Sequence, residues 1–94
     1  MVLVISPPQR PSQGGVDVYA TSWCPFCHRL IASLTSMGIP FTVIDVEADQ
    51  GAARFVEQVN GGNRVVPTVV FADGSTATNP DARLVADRVA TAAS

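Results

Sequence analysis

The sequence contains no lysine. Its six basic residues are all arginines (Arg10, Arg29, Arg54, Arg64, Arg83 and Arg88), and they are spread along the chain. Against eight acidic residues they leave a formal net charge of −2. That balance offers no basic patch for a polyanion, so nucleic acid is not an expected partner. No apolar run has the length needed to cross a bilayer, and no membrane partner is expected either. The start, Met1-Val2-Leu3-Val4-Ile5, is apolar but short. It lacks the basic flank and small-residue cleavage site of a secretory signal, so a cytoplasmic location is expected. Histidine and tryptophan occur once each and cysteine twice. With one histidine and no second Cys-x-x-Cys, a zinc centre is not expected.

What is present suffices for one small domain. A chain of 94 residues with 47% hydrophobic residues can fill one core. Residues 6–15 carry three prolines and two glycines and nothing to bury. A flexible N-terminal tail is therefore expected over 1–15 and the folded domain over 16–94. The sequence shows no internal repeat.

Hydrophobic periodicity sets out the elements. Val16-Asp17-Val18-Tyr19-Ala20 alternates as a strand does. Cys27, Leu30, Ile31 and Leu34 then fall on one helical stripe, which Gly38 and Pro40 close. Phe41 to Val46 predicts a second, largely buried strand. Asp49 caps a second helix bearing Ala52, Phe55, Val56 and Val59, and Asn60-Gly61-Gly62-Asn63 stops it. Thr68 to Phe71 predicts a third strand. Asp73-Gly74 predicts a type I′ hairpin turn with positive φ at both residues, leading into a short strand over Ser75 to Thr78. Asn79-Pro80 then caps a last helix with Ala82, Val85, Ala86 and Val89 on one face. The order predicts an α/β fold, a four-stranded mixed β-sheet flanked by three helices.

The chemistry is carried by Cys24-Pro25-Phe26-Cys27. Two cysteines three apart at a strand-to-helix junction place sulfur at a helix N-terminus. The unpaired N–H groups and the helix dipole there favour an anion. The thiolate is the nucleophile of thiol–disulfide exchange, so this position favours reactivity. Pro25 suits the first turn, where no N–H is needed. Cys24 lies off the apolar stripe and is expected to face solvent and attack. Cys27 lies on the stripe and is expected to be buried and to resolve. A purely structural disulfide is the weaker reading, because so short a loop removes little chain entropy.

Other residues are read beside that pair. His28 is an exposed helix residue by default, though it neighbours the thiols. Trp23 can cover the site or wall a substrate. Pro67 precedes the third strand, and a cis bond from Val66 is expected there. The Val66 backbone would then be open to pair with a bound disulfide, in the manner of strand addition.

These stretches together resemble the thioredoxin superfamily and its glutaredoxin branch. The Cys24-to-Cys27 motif, Val66-Pro67-Thr68-Val69 and the Asp73-Gly74 hairpin leading to Asn79 carry that likeness over residues 16 to about 92. Within the branch the chain is most similar to the mycoredoxins of actinobacteria. Thr21-Ser22-Trp23-Cys24, the run Val59 to Arg64, Phe71 to Thr76 and Thr78-Asn79-Pro80 carry that finer likeness.

The resemblance implies a thioredoxin-like fold and reduction of protein–mycothiol mixed disulfides. It implies a monothiol cycle at Cys24, with Cys27 as the resolving thiol of a dithiol side route. Mycothiol would be the co-substrate, regenerated by mycothiol reductase and NADPH, with no tightly bound cofactor and a monomeric protein. It places Trp23, Pro25, Phe26, Val66, Pro67, Thr78 and Asn79 at the substrate. Glutathione-dependent members usually carry a lysine shortly before the motif and a Gly-Gly with an acidic residue before the last helix. Here there is no lysine, and Ala77-Thr78-Asn79-Pro80 stands in the second place. Mycothiol has a neutral sugar portion, which suits a site poor in charge better than glutathione does. Arg64 could still hold a carboxylate.

Two other functions compete. One is a dithiol redoxin supplying electrons to ribonucleotide reductase via thioredoxin reductase. Such proteins usually carry Trp-Ser-Gly-Phe near the last helix, which this chain lacks. The other, of a different class, is an iron–sulfur cluster carrier. Those typically have Cys-Gly-Phe-Ser, against which Pro25 and Cys27 argue.

Overall fold

The computed structural model describes residues 14–93. The expected tail over 1–15 lies outside those residues apart from Gly14 and Gly15. The elements are β1 (Val16–Ala20), α1 (Pro25–Met37), β2 (Phe41–Asp45), α2 (Gln50–Val59), β3 (Thr68–Phe71), β4 (Thr76–Thr78) and α3 (Ala82–Ala93). They form one four-stranded sheet in the order β2-β1-β3-β4. β1 and β2 are parallel, while β3 is antiparallel to both β1 and β4. This is the expected mixed sheet with three helices.

The sheet carries an apolar layer on each face. Val16, Val18 and Ala20 of β1 join Val69 and Phe71 of β3 against Cys27, Leu30 and Leu34 of α1 and Val85 of α3. The intervening Tyr19 and Val70 pack with Val46 and with Ala52, Ala53 and Val56 of α2. Tyr19 and Phe55 bring their rings to 5.0 Å. Period-two geometry sends successive side chains to opposite faces, so a central strand covered on both sides buries all of them. That is why β1 shows no exposed alternate residue, and why even Asp17 is buried. Burial pushes the Asp17 carboxyl up from its ordinary range.

Three local expectations are corrected. β2 is an edge strand paired only to β1, so Thr42 and Val43 are exposed instead of buried. The buried residue of that segment is Val46, just past the strand. The hairpin has positive φ at Gly74 alone, not at Asp73. Gly74 N–H donates to the Phe71 carbonyl at 2.9 Å and Phe71 N–H to the Ser75 carbonyl at 2.8 Å. This is a three-residue loop with a left-handed glycine, and the Asp73 carboxylate holds the Ser75 N–H and hydroxyl at 2.9 and 2.6 Å. Finally, Asp81 and not Asn79 serves the N-terminus of α3: its carboxylate accepts from Leu84 N–H at 2.8 Å. Asn79 takes a left-handed φ of 47° and turns the chain out of β4.

The other helix ends are as expected. Asp49 caps α2 by accepting from Ala52 N–H at 3.1 Å. Gly38, at φ 73°, closes α1 with its N–H on the last carbonyls, and Ile39 N–H reaches the Leu34 carbonyl.

Candidate active site

The end of β1 delivers the chain to the N-terminus of α1, and Cys24 is the N-cap residue there. Its Sγ accepts from Cys27 N–H at 3.3 Å. Pro25 occupies the first helical turn, and that turn holds no acidic side chain. Nothing in it opposes the positive end of the helix dipole, at which the sulfur sits. On its other side the Cys24 thiol donates to the Val66 carbonyl at 3.8 Å.

Cys24 is not exposed as expected: only 4% of it is accessible. The stripe argument fails at this residue because an N-cap lies outside the helix. Its side chain follows the cap geometry, not the 3.6-residue period. Sγ turns back onto the first turn and towards Val66. The rim, in contrast, is open, with Trp23 66% and Phe26 55% exposed.

Cys27 is fully buried, as expected. No disulfide joins the two cysteines in this structure. Burial, and then the hydrogen bond with Cys24, push the Cys27 thiol up to about 12. It therefore holds its proton at neutral pH and becomes a nucleophile only once a base or a neighbouring disulfide chemistry draws on it. In reduced, folded protein, iodoacetamide at pH 7 should modify Cys24 well before Cys27. The thiolate fraction of Cys27 falls tenfold per pH unit below its pKa, so its labelling rate should still be climbing above pH 10. Mass spectrometry of quenched samples reads this, and equal rates at pH 7 would overturn the assignment.

The turn that carries Trp23 is pinned at several points. The indole Nε1–H donates to Glu47 at 3.0 Å, tying this turn to the loop after β2. His28 Nε2 donates to the Ser22 carbonyl at 2.6 Å, and so bonds the backbone instead of a sulfur. Cys24 N–H reaches the Thr21 carbonyl at 3.4 Å. Arg29 lies 6.0 Å from the centre of the Phe26 ring. Arg64, considered for a carboxylate, pairs instead with Glu57 at 2.6 Å and is well exposed.

The loop before β3 supplies the second wall. The Val66–Pro67 bond is cis. Val66 is half-buried and touches both apolar layers. Pro67 is buried. Among the described residues no partner takes the Val66 N–H. Thr78 and Asn79 reach this region through hydrogen bonds to the framework. The Thr78 hydroxyl donates to Asn60 Oδ1 and Asn79 N–H donates to the Pro67 carbonyl at 2.7 Å. Glu47 and Asn60 were not singled out from sequence. Glu47 carries no sequence signal, and Asn60 reads as a helix stop.

Comparison with known proteins gives a consistent picture. The glutaredoxin family model matches residues 16–75. A Mycobacterium tuberculosis (strain H37Rv) protein with a provisional glutaredoxin name is 55% identical over 67 residues, covering 71% of this chain and 80% of that one. Mycoredoxin 1 of Corynebacterium glutamicum is 49% identical over 65 residues, 69% of this chain and 80% of its own length. Among solved structures, a glutaredoxin of Archaeoglobus fulgidus superposes with a TM-score of 0.61 at 25% identity, covering 81% of this chain and 86% of that one. A wheat glutaredoxin gives 0.60 at 24% identity, over 78% of this chain and 70% of its own. The architecture is thioredoxin-like.

Proposed function

Because this chain belongs to the glutaredoxin family of thiol–disulfide oxidoreductases, we propose that it reduces mixed disulfides between proteins and mycothiol through Cys24. The observation that carries this reading is the 49% identity to a mycoredoxin, joined to the Cys24 sulfur set between a helix N-terminus and the Val66 backbone. A site without lysine also suits a co-substrate with a neutral sugar portion.

The Cys24 thiolate attacks the mycothiol sulfur of the mixed disulfide. That S–S bond breaks, the protein leaves as its thiolate and takes up a proton, and mycothiol stays on Cys24. A second mycothiol thiolate attacks that adduct and frees Cys24. The product is mycothiol disulfide, which mycothiol reductase returns to thiol with NADPH. In the side route Cys27 displaces mycothiol and forms the Cys24–Cys27 disulfide. Trp23, Pro25 and Phe26 border the approach to Sγ, and Val66 with cis-Pro67 offers a backbone edge to the substrate. Thr78 and Asn79 act on the substrate by holding that edge. No tightly bound cofactor or metal is called for. The protein works as a cytoplasmic monomer in this reading, and no helix among the described residues is long and apolar enough to cross a membrane.

The test is turnover of one protein mixed disulfide with each small thiol and its own reductase. Mycothiol with mycothiol reductase should support faster NADPH consumption than glutathione with glutathione reductase. Faster turnover with glutathione would remove the mycothiol assignment. Recharging only by thioredoxin reductase would favour the ribonucleotide-reductase redoxin.

A further inference from the structure

The carbonyls on either side of Val66 are both held. The Thr68 hydroxyl donates to the Val65 carbonyl at 2.7 Å. Asn79 N–H donates to the Pro67 carbonyl at 2.7 Å. The peptide groups of Val66 are left for other partners: its N–H has none among the described residues, and its carbonyl has only the weak thiol contact with Cys24.

The Thr68 hydroxyl is itself oriented from behind. It is fully buried, and it accepts from Asn60 Nδ2 at 3.1 Å. The other Nδ2 hydrogen goes to the Val56 carbonyl at the end of α2, at 2.8 Å. Asn60 Oδ1 accepts from the Thr78 hydroxyl on β4 at 2.5 Å. Both donors and the acceptor of this one carboxamide are engaged, so its orientation is fixed. The side chain joins α2, β3 and β4, and through Thr68 it reaches the peptide next to Val66. With Nδ2 on one of its lone pairs, the hydroxyl directs its single hydrogen to the Val65 carbonyl. The network runs from the buried Thr68 hydroxyl to the exposed Thr78, and with every member satisfied it favours one geometry.

The geometry points to Asn60 as a positioning residue: by orienting Thr68 Oγ1 it sets the direction in which the Val66 backbone is presented to an extended disulfide substrate. It does so without touching either sulfur. This rests on the reading that mixed disulfides dock along Val66, and is independent of which small thiol caps them. Asn60 therefore acts chiefly on substrate capture: the one link from the Val66 backbone to the thiol is the weak 3.8 Å contact, while the bond from Cys27 N–H to Sγ does not pass through it. A residue needed only to hold the fold would disturb both.

The experiment is single-turnover reduction, by the reduced full-length protein, of a fluorescent cysteine peptide capped with 2-mercaptoethanol. Rates at rising peptide concentration separate the half-saturating concentration from the maximal rate. Iodoacetamide labelling of Cys24 in the same samples reports the thiol directly. In Asn60→Ala the half-saturating concentration should rise about tenfold, the scale of losing one hydrogen bond's worth of positioning. The maximal rate and the Cys24 labelling rate should stay within about twofold of the parent. Thr68→Val, which removes the hydroxyl and keeps the branched shape, should show the same split. The double variant should be no worse than Thr68→Val alone, because both act through one bond. Asn60→Asp, of equal size but lacking the Nδ2 donors, serves if the alanine variant does not fold.

Labelling that slows in parallel with peptide turnover would overturn the assignment, as would an unchanged half-saturating concentration or additive effects. A parent protein that reduces the peptide without saturation would instead overturn docking along Val66, the reading on which the inference rests.

Discussion

Cys24→Ser should lose turnover of a mycothiol-capped protein by at least about a thousandfold, while Cys27→Ser keeps activity close to the parent's. The first transfer needs a thiolate at the N-cap of α1, where Cys27 N–H meets Sγ at 3.3 Å. An alcohol in that place is not ionised near neutral pH and cannot take up the sulfur. The second exchange can be completed by a free small thiol, which has no need of Cys27. Removing Cys27 also removes the internal disulfide that competes with that exchange, so the variant can be as fast as the parent. NADPH consumption coupled through mycothiol and its reductase measures both variants. Inactive Cys27→Ser with an intact fold would show the dithiol route to be obligatory. Residual turnover in Cys24→Ser would mean that the nucleophile is elsewhere.

Leu34→Ala should be the most damaging of the single core truncations on α1. Leu34 is fully inaccessible and lies in the larger apolar layer with Val18, Val69 and Val85. Truncation leaves a cavity where α1 meets the sheet and should cost about 2–5 kcal/mol. In a domain of this size each kcal/mol moves the midpoint by roughly 4–8 °C, so thermal unfolding followed by circular dichroism should shift down by about 10 °C or more. Leu84→Ala is the control. Leu84 is 42% exposed on α3, and its truncation should stay within about 0.5 kcal/mol. Equal shifts for the two would contradict the packing described.

Much of this could be read from the residues, because the signals were local. Helical spacing marked Cys27, Leu30 and Leu34, and all three are buried. Asp49 and Gly38 stood where caps belong. The cis bond at Pro67 followed from a proline where a strand begins beside the thiols. What could not be read depended on neighbours distant in sequence. The composition of Phe41 to Val46 does not say that the strand lies at the sheet edge, since edge or centre is decided by which strands pair. Cys24 is buried within an apolar layer gathered from several elements, and its thiol meets the Val66 carbonyl 42 residues away. The link from Trp23 to Glu47 spans 24 residues and has no motif. Asn60 looks like any helix-ending asparagine until β3 and β4 bring Thr68 and Thr78 to its carboxamide.

The chain has one tryptophan, and it precedes the candidate nucleophile directly. Its indole is open to water and tethered at Nε1. Thiolates and disulfides quench indole emission at short range, and no second indole contributes background. The protein therefore carries its own optical gauge: each formation or loss of a bond at Cys24 should register in its fluorescence, so exchange can be followed in real time without a dye or a coupled enzyme.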